Sequence, residues 1–201
     1  MCGRFTLSSS KKVKDMFGIE VIPNFNIAPS QEVLVLNKEF VPQKMKWSYS
    51  PTWSKKPFNL INARSETLHL KPSFRNADRC IYIADGYFEW KRSSLKTPYF
   101  HYIENDLMYF GGLYNSLLGC CIVTRQSYEN ISHIHHRQPI ILDKNDFQSW
   151  LSKEHDFSSP ITKKIKFHKV SNIVNSPLNN NKDNLKKNKL INMIKNHVNG
   201  D

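Results

Sequence analysis

The sequence predicts an α+β fold: one domain built on a mainly antiparallel, barrel-like sheet with a few flanking helices. Three observations carry this reading. Short apolar and aromatic runs recur at close spacing, at residues 32–36, 44–47, 80–84, 99–103, 108–113, 117–124 and 167–173. Their length suits strands better than helices. Helical patterning is confined to two short stretches, residues 11–17 and 143–151. Finally, 201 residues with 39% hydrophobic and 12% aromatic content describe a globular chain with a substantial core.

Taken in order, residues 2–7 read as a short strand, followed by a polar serine turn and a helix over 11–17 that Gly18 stops. Residues 24–31 (Asn-Phe-Asn-Ile-Ala-Pro-Ser-Gln) read as a loop rich in side-chain amides. Strands follow at 32–36 and 44–47. The hexapeptide Asn62-Ala63-Arg64-Ser65-Glu66-Thr67 has the composition of a helix cap or polar turn. A core strand at 80–84 runs into Asp85-Gly86, a signal for a tight turn or bulge. Glu104-Asn105-Asp106 is turn-like, so 99–103 and 108–113 are expected to form a hairpin. Asp143 is placed to cap a helix whose stripe is Phe147, Trp150 and Leu151. The domain is expected to span 1–178, with a Lys/Asn-rich tail or short amphipathic helix over 179–201 carrying Leu190, Ile191, Ile194 and Val198.

Charge narrows the class of partner. Lys and Arg number 29 against 17 Asp and Glu, a formal +12, which favours a polyanion such as nucleic acid. No apolar run approaches the roughly 20 residues of a membrane span, and the N-terminus lacks the apolar core of a secretory signal. A cytoplasmic monomer is expected. The four cysteines, Cys2, Cys80, Cys120 and Cys121, show no CxxC spacing, so neither a disulfide framework nor zinc is expected. His133, His135 and His136 have no carboxylate or cysteine at ligand spacing. The chemistry is expected to need no metal or organic cofactor.

The most informative residue is Cys2. If Met1 is removed, Cys2 carries a free α-amine and a thiol on adjacent carbons. Such a 1,2-aminothiol condenses with an aldehyde to an imine, which the thiol closes to a thiazolidine. The amine has a reference pKa near 8, so a sizeable fraction is unprotonated at neutral pH. Glu89, set among aromatics in Asp85-Gly86-Tyr87-Phe88-Glu89-Trp90, would have its pKa raised by an apolar setting, which suits proton transfer.

Several motifs occur in order along the chain: Met1-Cys2-Gly3-Arg4-Phe5; Asn26 to Gln31; Trp47 with Pro51-Thr52-Trp53; Asn62 to Thr67; Arg79-Cys80; Ala84 to Trp90; Gly112-Leu113-Tyr114; and His135-His136-Arg137-Gln138-Pro139. Together they resemble the SOS-response-associated peptidase (SRAP) family of abasic-site-crosslinking proteins, over residues 1 to about 175. The resemblance implies an SRAP-like domain that binds single-stranded DNA, at single–double-strand junctions in some contexts, and traps the ring-opened aldehyde of an abasic site on Cys2. It implies an active site of Cys2, Asn62, Glu89 and His135. In it Glu89 shuttles protons, His135 titrates near neutrality and handles the sugar, and Asn62 orients the cysteine or sugar. It further implies lyase and self-reversal activities, and DNA contacts from Arg4, Arg64 and Arg137 (phosphates), Ser65, Thr67, and Trp47 (stacking). Residues 170–175 resemble the family's closing strand. The chain departs from the family pattern at Ser48-Tyr49, Ile83, His136 and Gln138. Two other readings use the same residues: a peptidase with Cys2 as N-terminal nucleophile, and a non-catalytic basic single-strand-binding module.

Overall fold

The computed structural model describes residues 2–92, 95–115, 119–154 and 159–188. Within them the strands form two sheets. The first runs β13 (Lys166–Lys169), β8 (Pro98–Tyr102), β7 (Gly86–Trp90), β1 (Phe5–Leu7), β2 (Asn24–Ile27). The second runs β11 (Arg137–Pro139), β10 (Gly119–Gln126), β9 (Met108–Asn115), β6 (Asp78–Ala84), β3 (Glu32–Leu36), β4 (Pro42–Lys46). To it are added β12 (Ile141–Leu142) on β9 and β5 (Asn62–Arg64) on β10. These ladders are antiparallel except β5 with β10, which is parallel. The class is α+β as expected, but the sheets stay open and do not close into a barrel.

One core lies between the sheets. Phe5 of β1 sits 5.2 Å from Trp47, 6.1 Å from Tyr82 and 5.9 Å from Phe110, ring centre to ring centre. These are the tilted and edge-on contacts aromatic rings prefer. Cys80, Cys120 and Cys121 are buried strand residues. The end of β1 is clamped by Asp85, whose Oδ2 accepts from Ser8 Oγ at 2.8 Å and Thr6 Oγ1 at 3.2 Å. The Asp85 amide donates to the Thr6 carbonyl at 2.8 Å. The Asp-Gly signal thus marks where the chain leaves one sheet for the other.

Helices are short. α1 (Ser10–Phe17) ends at Gly18, whose φ of 69° is the left-handed conformation glycine adopts without strain. α2 (Glu129–Ser132) leads into the histidine segment. Asp143 and Asp146 form a capping box on a 3₁₀ turn that continues as α3 (Phe147–Leu151). Among the described residues no helix is long and apolar enough to cross a membrane.

Four expectations are corrected. Residues 99–103 and 108–113 do not pair: β8 lies between β7 and β13, and β9 between β6 and β10. The turn at 104–106, with Asn105 at φ 58°, carries the chain between sheets instead. Residues 24–27 are a strand, because their backbone completes the edge beside β1. The hexapeptide at 62–67 is strand β5 followed by a 3₁₀ helix, Ser65–Leu70. Residues 172–175 form a 3₁₀ turn capped by the Ser171 side chain, not a strand.

The Asn-rich segment after 175 packs on the domain. Asn26 Nδ2 donates to the carbonyls of Ser176 (2.9 Å) and Asn179 (3.0 Å), and the Asn188 amide to Lys169 O (2.9 Å). Leu190, Ile191, Ile194 and Val198 lie outside the described residues.

Close packing sets a stability test. A Cβ on Gly111 would come within 2.6 Å of Trp150 Cζ2 in the buried indole. Gly111→Ala is expected to lower unfolding free energy by about 1–3 kcal/mol, the usual cost of overpacking, read as a lower urea midpoint with unchanged slope.

Candidate active site

The two sheets meet where the chain begins. β1 is flanked by β7 with Phe5 opposite Tyr87, and the Phe88 amide donates to Arg4 O at 2.9 Å. Continuing that register sets Gly3 level with Glu89, so Cys2 arrives beside the Glu89 carboxyl. From the second sheet comes Asn62, the first residue of β5, whose Nδ2 donates to the Cys2 carbonyl at 2.8 Å. Asn62 Oδ1 is buried with no hydrogen-bond partner among the described residues, leaving one acceptor facing the site. His135, just ahead of β11, places Nδ1 3.8 Å from Glu89 Oε1. The four expected catalytic residues, 133 positions apart in sequence at the extremes, are therefore neighbours.

Burial sets their charges. Glu89 is buried, and loss of hydration raises its carboxyl from 4.5 to about 7. It is thus divided between acid and base at neutral pH. The Cys2 thiol is pushed far above its ordinary range by burial and by the nearby Glu89 charge. His135 moves the other way: burial lowers it to about 4, so the ring is neutral at pH 7 rather than titrating there. His135 Nδ1 lies 3.1 Å from both the backbone N–H and the carbonyl oxygen of Arg137, so the Arg137 backbone holds that edge of the ring. Tyr87, on the same face of β7 as Glu89, has a buried hydroxyl without a hydrogen-bond partner among the described residues.

Glu89 and His135 also line an open pocket of about 440 Å³ completed by Trp90, Lys91, Arg92 and Lys96. Lys91, Arg92 and Lys96 make its lining cationic, with Glu89 the acid among the described lining residues. Among the described residues no group of three or more His, Cys, Asp or Glu side chains is placed to hold a metal ion.

The expected DNA-contacting residues are dispersed. Arg64 is exposed, Thr67 half-buried and Ser65 buried. Arg4 is half-buried, its Nη1 donating to Asn26 Oδ1 (2.7 Å) and Val174 O (2.8 Å). That makes it a strut between the N-terminal strand and the 172–175 turn. Two expectations are corrected. Trp47 is fully buried against Phe5 with its Nε1 donating to Ile61 O at 2.9 Å, so neither ring face is available to a base. Arg137 is buried, with both terminal nitrogens committed to Glu66 and Thr124. Trp53 is instead an exposed aromatic, 57% accessible, edge-on at 5.2 Å to Phe58, which is also exposed. Its sequence signal was present: Trp53-Ser54-Lys55-Lys56-Pro57-Phe58 interleaves aromatics with cations and a proline.

Comparison with known proteins places this geometry. The family description "SOS response associated peptidase (SRAP)" matches residues 1–177. The chain is 35% identical to the Bacillus subtilis abasic site processing protein YoqW, over 90% of this chain and 96% of that one. It is 31% identical to the Escherichia coli abasic site processing protein YedK, over 77% and 81% respectively. A crystal structure of a protein from Bacteroides thetaiotaomicron superimposes with a TM-score of 0.75 at 19% identity, covering 93% of this chain and all of that one, a likeness of fold. On the family match and these identities, the chain belongs to the SOS response associated peptidase (SRAP) family.

Proposed function

We propose that this protein processes abasic sites in single-stranded DNA by trapping the ring-opened sugar aldehyde on the α-amine and thiol of Cys2, once Met1 has been removed. The observation that carries the reading is the convergence of Cys2, Asn62, Glu89 and His135 beside a cation-rimmed pocket. That the relatives are named abasic site processing proteins supports it.

The chemistry follows from the charges. The amine nitrogen attacks the aldehyde carbon to give a carbinolamine. Protonated Glu89 delivers a proton to the departing hydroxyl, water leaves, and a protonated imine remains beside the Glu89 carboxylate. The thiol sulfur then attacks the imine carbon, its proton passing to the Glu89 carboxylate, which restores the acid while nitrogen keeps its own hydrogen. One water is released overall. A carboxyl divided between its two forms at pH 7 serves both directions, so the same residue supports reversal. At the imine stage, loss of a C2′ proton with expulsion of the 3′ phosphate is the route to strand cleavage. Neutral His135 offers a hydrogen bond to the opened sugar. Asn62 holds the Cys2 carbonyl and presents Oδ1 to the amine.

The strand is held by the pocket rim of Lys91, Arg92 and Lys96, by exposed Arg64, and by Trp53 and Phe58 as a stacking platform. The protein acts as a monomer on an abasic strand or single–double-strand junction.

The deciding experiment mixes matured protein, with Met1 loss confirmed by intact mass, with single-stranded DNA carrying one abasic site. A denaturing gel is expected to show a shifted band that is absent with Cys2→Ala and with an undamaged strand. No such band from matured protein would sink the proposal and leave non-covalent binding as the account.

Glu89 yields a stability prediction whose sign can be worked out. Its folded pKa lies above its unfolded value, so the neutral carboxyl's contribution is full below about 4.5 and lost as pH rises through about 7. The shift corresponds to about 3 kcal/mol. In urea titrations Glu89→Gln should match wild type at low pH and exceed it increasingly from pH 5 to 8, while crosslinking slows at least tenfold. Equal pH dependence for both proteins would contradict the raised pKa.

For the strand contacts, Trp53→Ala is expected to weaken binding to undamaged single strands by about 1–3 kcal/mol. Arg64→Ala should lower the salt slope by about one ion. Fluorescence anisotropy across a salt series measures both.

A further inference from the structure

Glu66 is half-exposed, with 47% of its side chain accessible, yet it makes the most elaborate ion pair in the described structure. Its two oxygens receive Arg137 Nη1 at 2.6 Å and Nη2 at 3.0 Å, a fork-to-fork pairing. Oε1 also accepts the Gln126 amide at 3.2 Å. Arg137 Nη2 continues inward to Thr124 O at 2.7 Å and Thr124 Oγ1 at 3.2 Å, and that hydroxyl donates to Ala63 O at 3.2 Å. These bonds join strands β5, β10 and β11 at one point. The carboxylate lies four residues after Asn62, and the guanidinium belongs to the residue whose amide fixes His135 Nδ1. The hydrogen bonds from Arg137 hold the Glu66 carboxyl down at about 2, so the pair persists across the whole working pH range.

We propose that Glu66 is a positioning residue: by holding Arg137 it sets Asn62 and His135 in register about Cys2 and keeps the His135 ring seated on the Arg137 backbone. This rests on the proposed reaction for its kinetic consequence, but not for its structural one. The alternative use of Arg137, as a phosphate anchor, is disfavoured because a phosphate there would meet the Glu66 carboxylate. If Glu66 loses its charge, a buried guanidinium is left without its counter-ion, and it must shift to find water or another acceptor. Any such shift pulls on the β11 backbone two residues from His135. Glu66 itself touches neither Cys2 nor the pocket.

The test compares wild type, Glu66→Gln and Glu66→Asp as matured full-length proteins. Glu66→Gln is expected to lower the single-turnover crosslinking rate at saturating abasic DNA about tenfold, with affinity for an undamaged strand within twofold of wild type. In the free protein, the imidazole nitrogen shifts of His135 should move away from their wild-type values as the ring loses its seat on the Arg137 backbone. Glu66→Asp, which keeps the charge, should recover most of both. An unchanged saturating rate with unchanged His135 shifts would overturn the proposal. So would an unchanged rate with tighter binding of undamaged DNA, which would make Glu66 a screen over a phosphate-binding Arg137. Should wild type itself form no crosslink, the crosslinking proposal fails, while the nitrogen shifts still decide the role of Glu66.

Discussion

The burial of Phe5 is the constraint on which the rest of the molecule depends. Chain ends usually fray unless something ties them down, and the proposed reaction at residue 2 cannot tolerate a frayed end. Phe5 solves this by filling the space between the sheets, in contact with Trp47, Tyr82 and Phe110. Because β1 is only three residues long and paired on both sides by β2 and β7, anchoring its first residue also fixes Cys2 three positions earlier. The Asp85 clamp at the far end of β1 prevents the strand from sliding. A one-residue slip would exchange the faces of every side chain on it.

Once the N-terminus is fixed, desolvation distributes the charges. The same withdrawal from water raises the Glu89 carboxyl, raises the Cys2 thiol and lowers the His135 imidazole, each toward its neutral form. Cations gather on the open side of the pocket, at Lys91, Arg92 and Lys96, where they remain solvated. The site therefore has an interior of low charge, with Glu89 divided between its two forms near pH 7, and a positive mouth that suits the proposed DNA strand.

The candidate site was legible in the sequence to a different degree from the architecture. Cys2, Asn62, Glu89 and His135 were identifiable because each sits in a motif, and the structure brings all four together. The strands themselves were visible as apolar runs, whereas their partners were not. Residues 99–103 and 108–113 look like a hairpin locally, and nothing within either segment signals that one belongs to each sheet. Trp47 and Trp53 show the same limit. Both are tryptophans near prolines and lysines, yet one fills the core and the other is exposed, a difference decided by the Phe5 contact 42 residues away. Arg137 was expected to contact phosphates because of the motif it sits in, which requires an accessible guanidinium. Its burial depends on Glu66 and Thr124, which converge on it only after folding.

The charge state of Cys2 also bears on which chemistry the site favours. A cysteine peptidase needs its sulfur as a thiolate, commonly supplied by a cationic or histidine neighbour that lowers the pKa. Here burial and the Glu89 charge act in the opposite direction, and the thiol keeps its proton. A site of this kind handicaps direct sulfur attack on an amide. It does not handicap an α-amine, whose neutral form is accessible near pH 8 without assistance. In the proposed reaction the amine therefore attacks first. The sulfur is needed only afterwards, against an imine carbon already far more electrophilic than an amide, and with the Glu89 carboxylate at hand to take its proton. Aldehyde capture through nitrogen, completed by sulfur, is the order of events that this arrangement of buried groups favours.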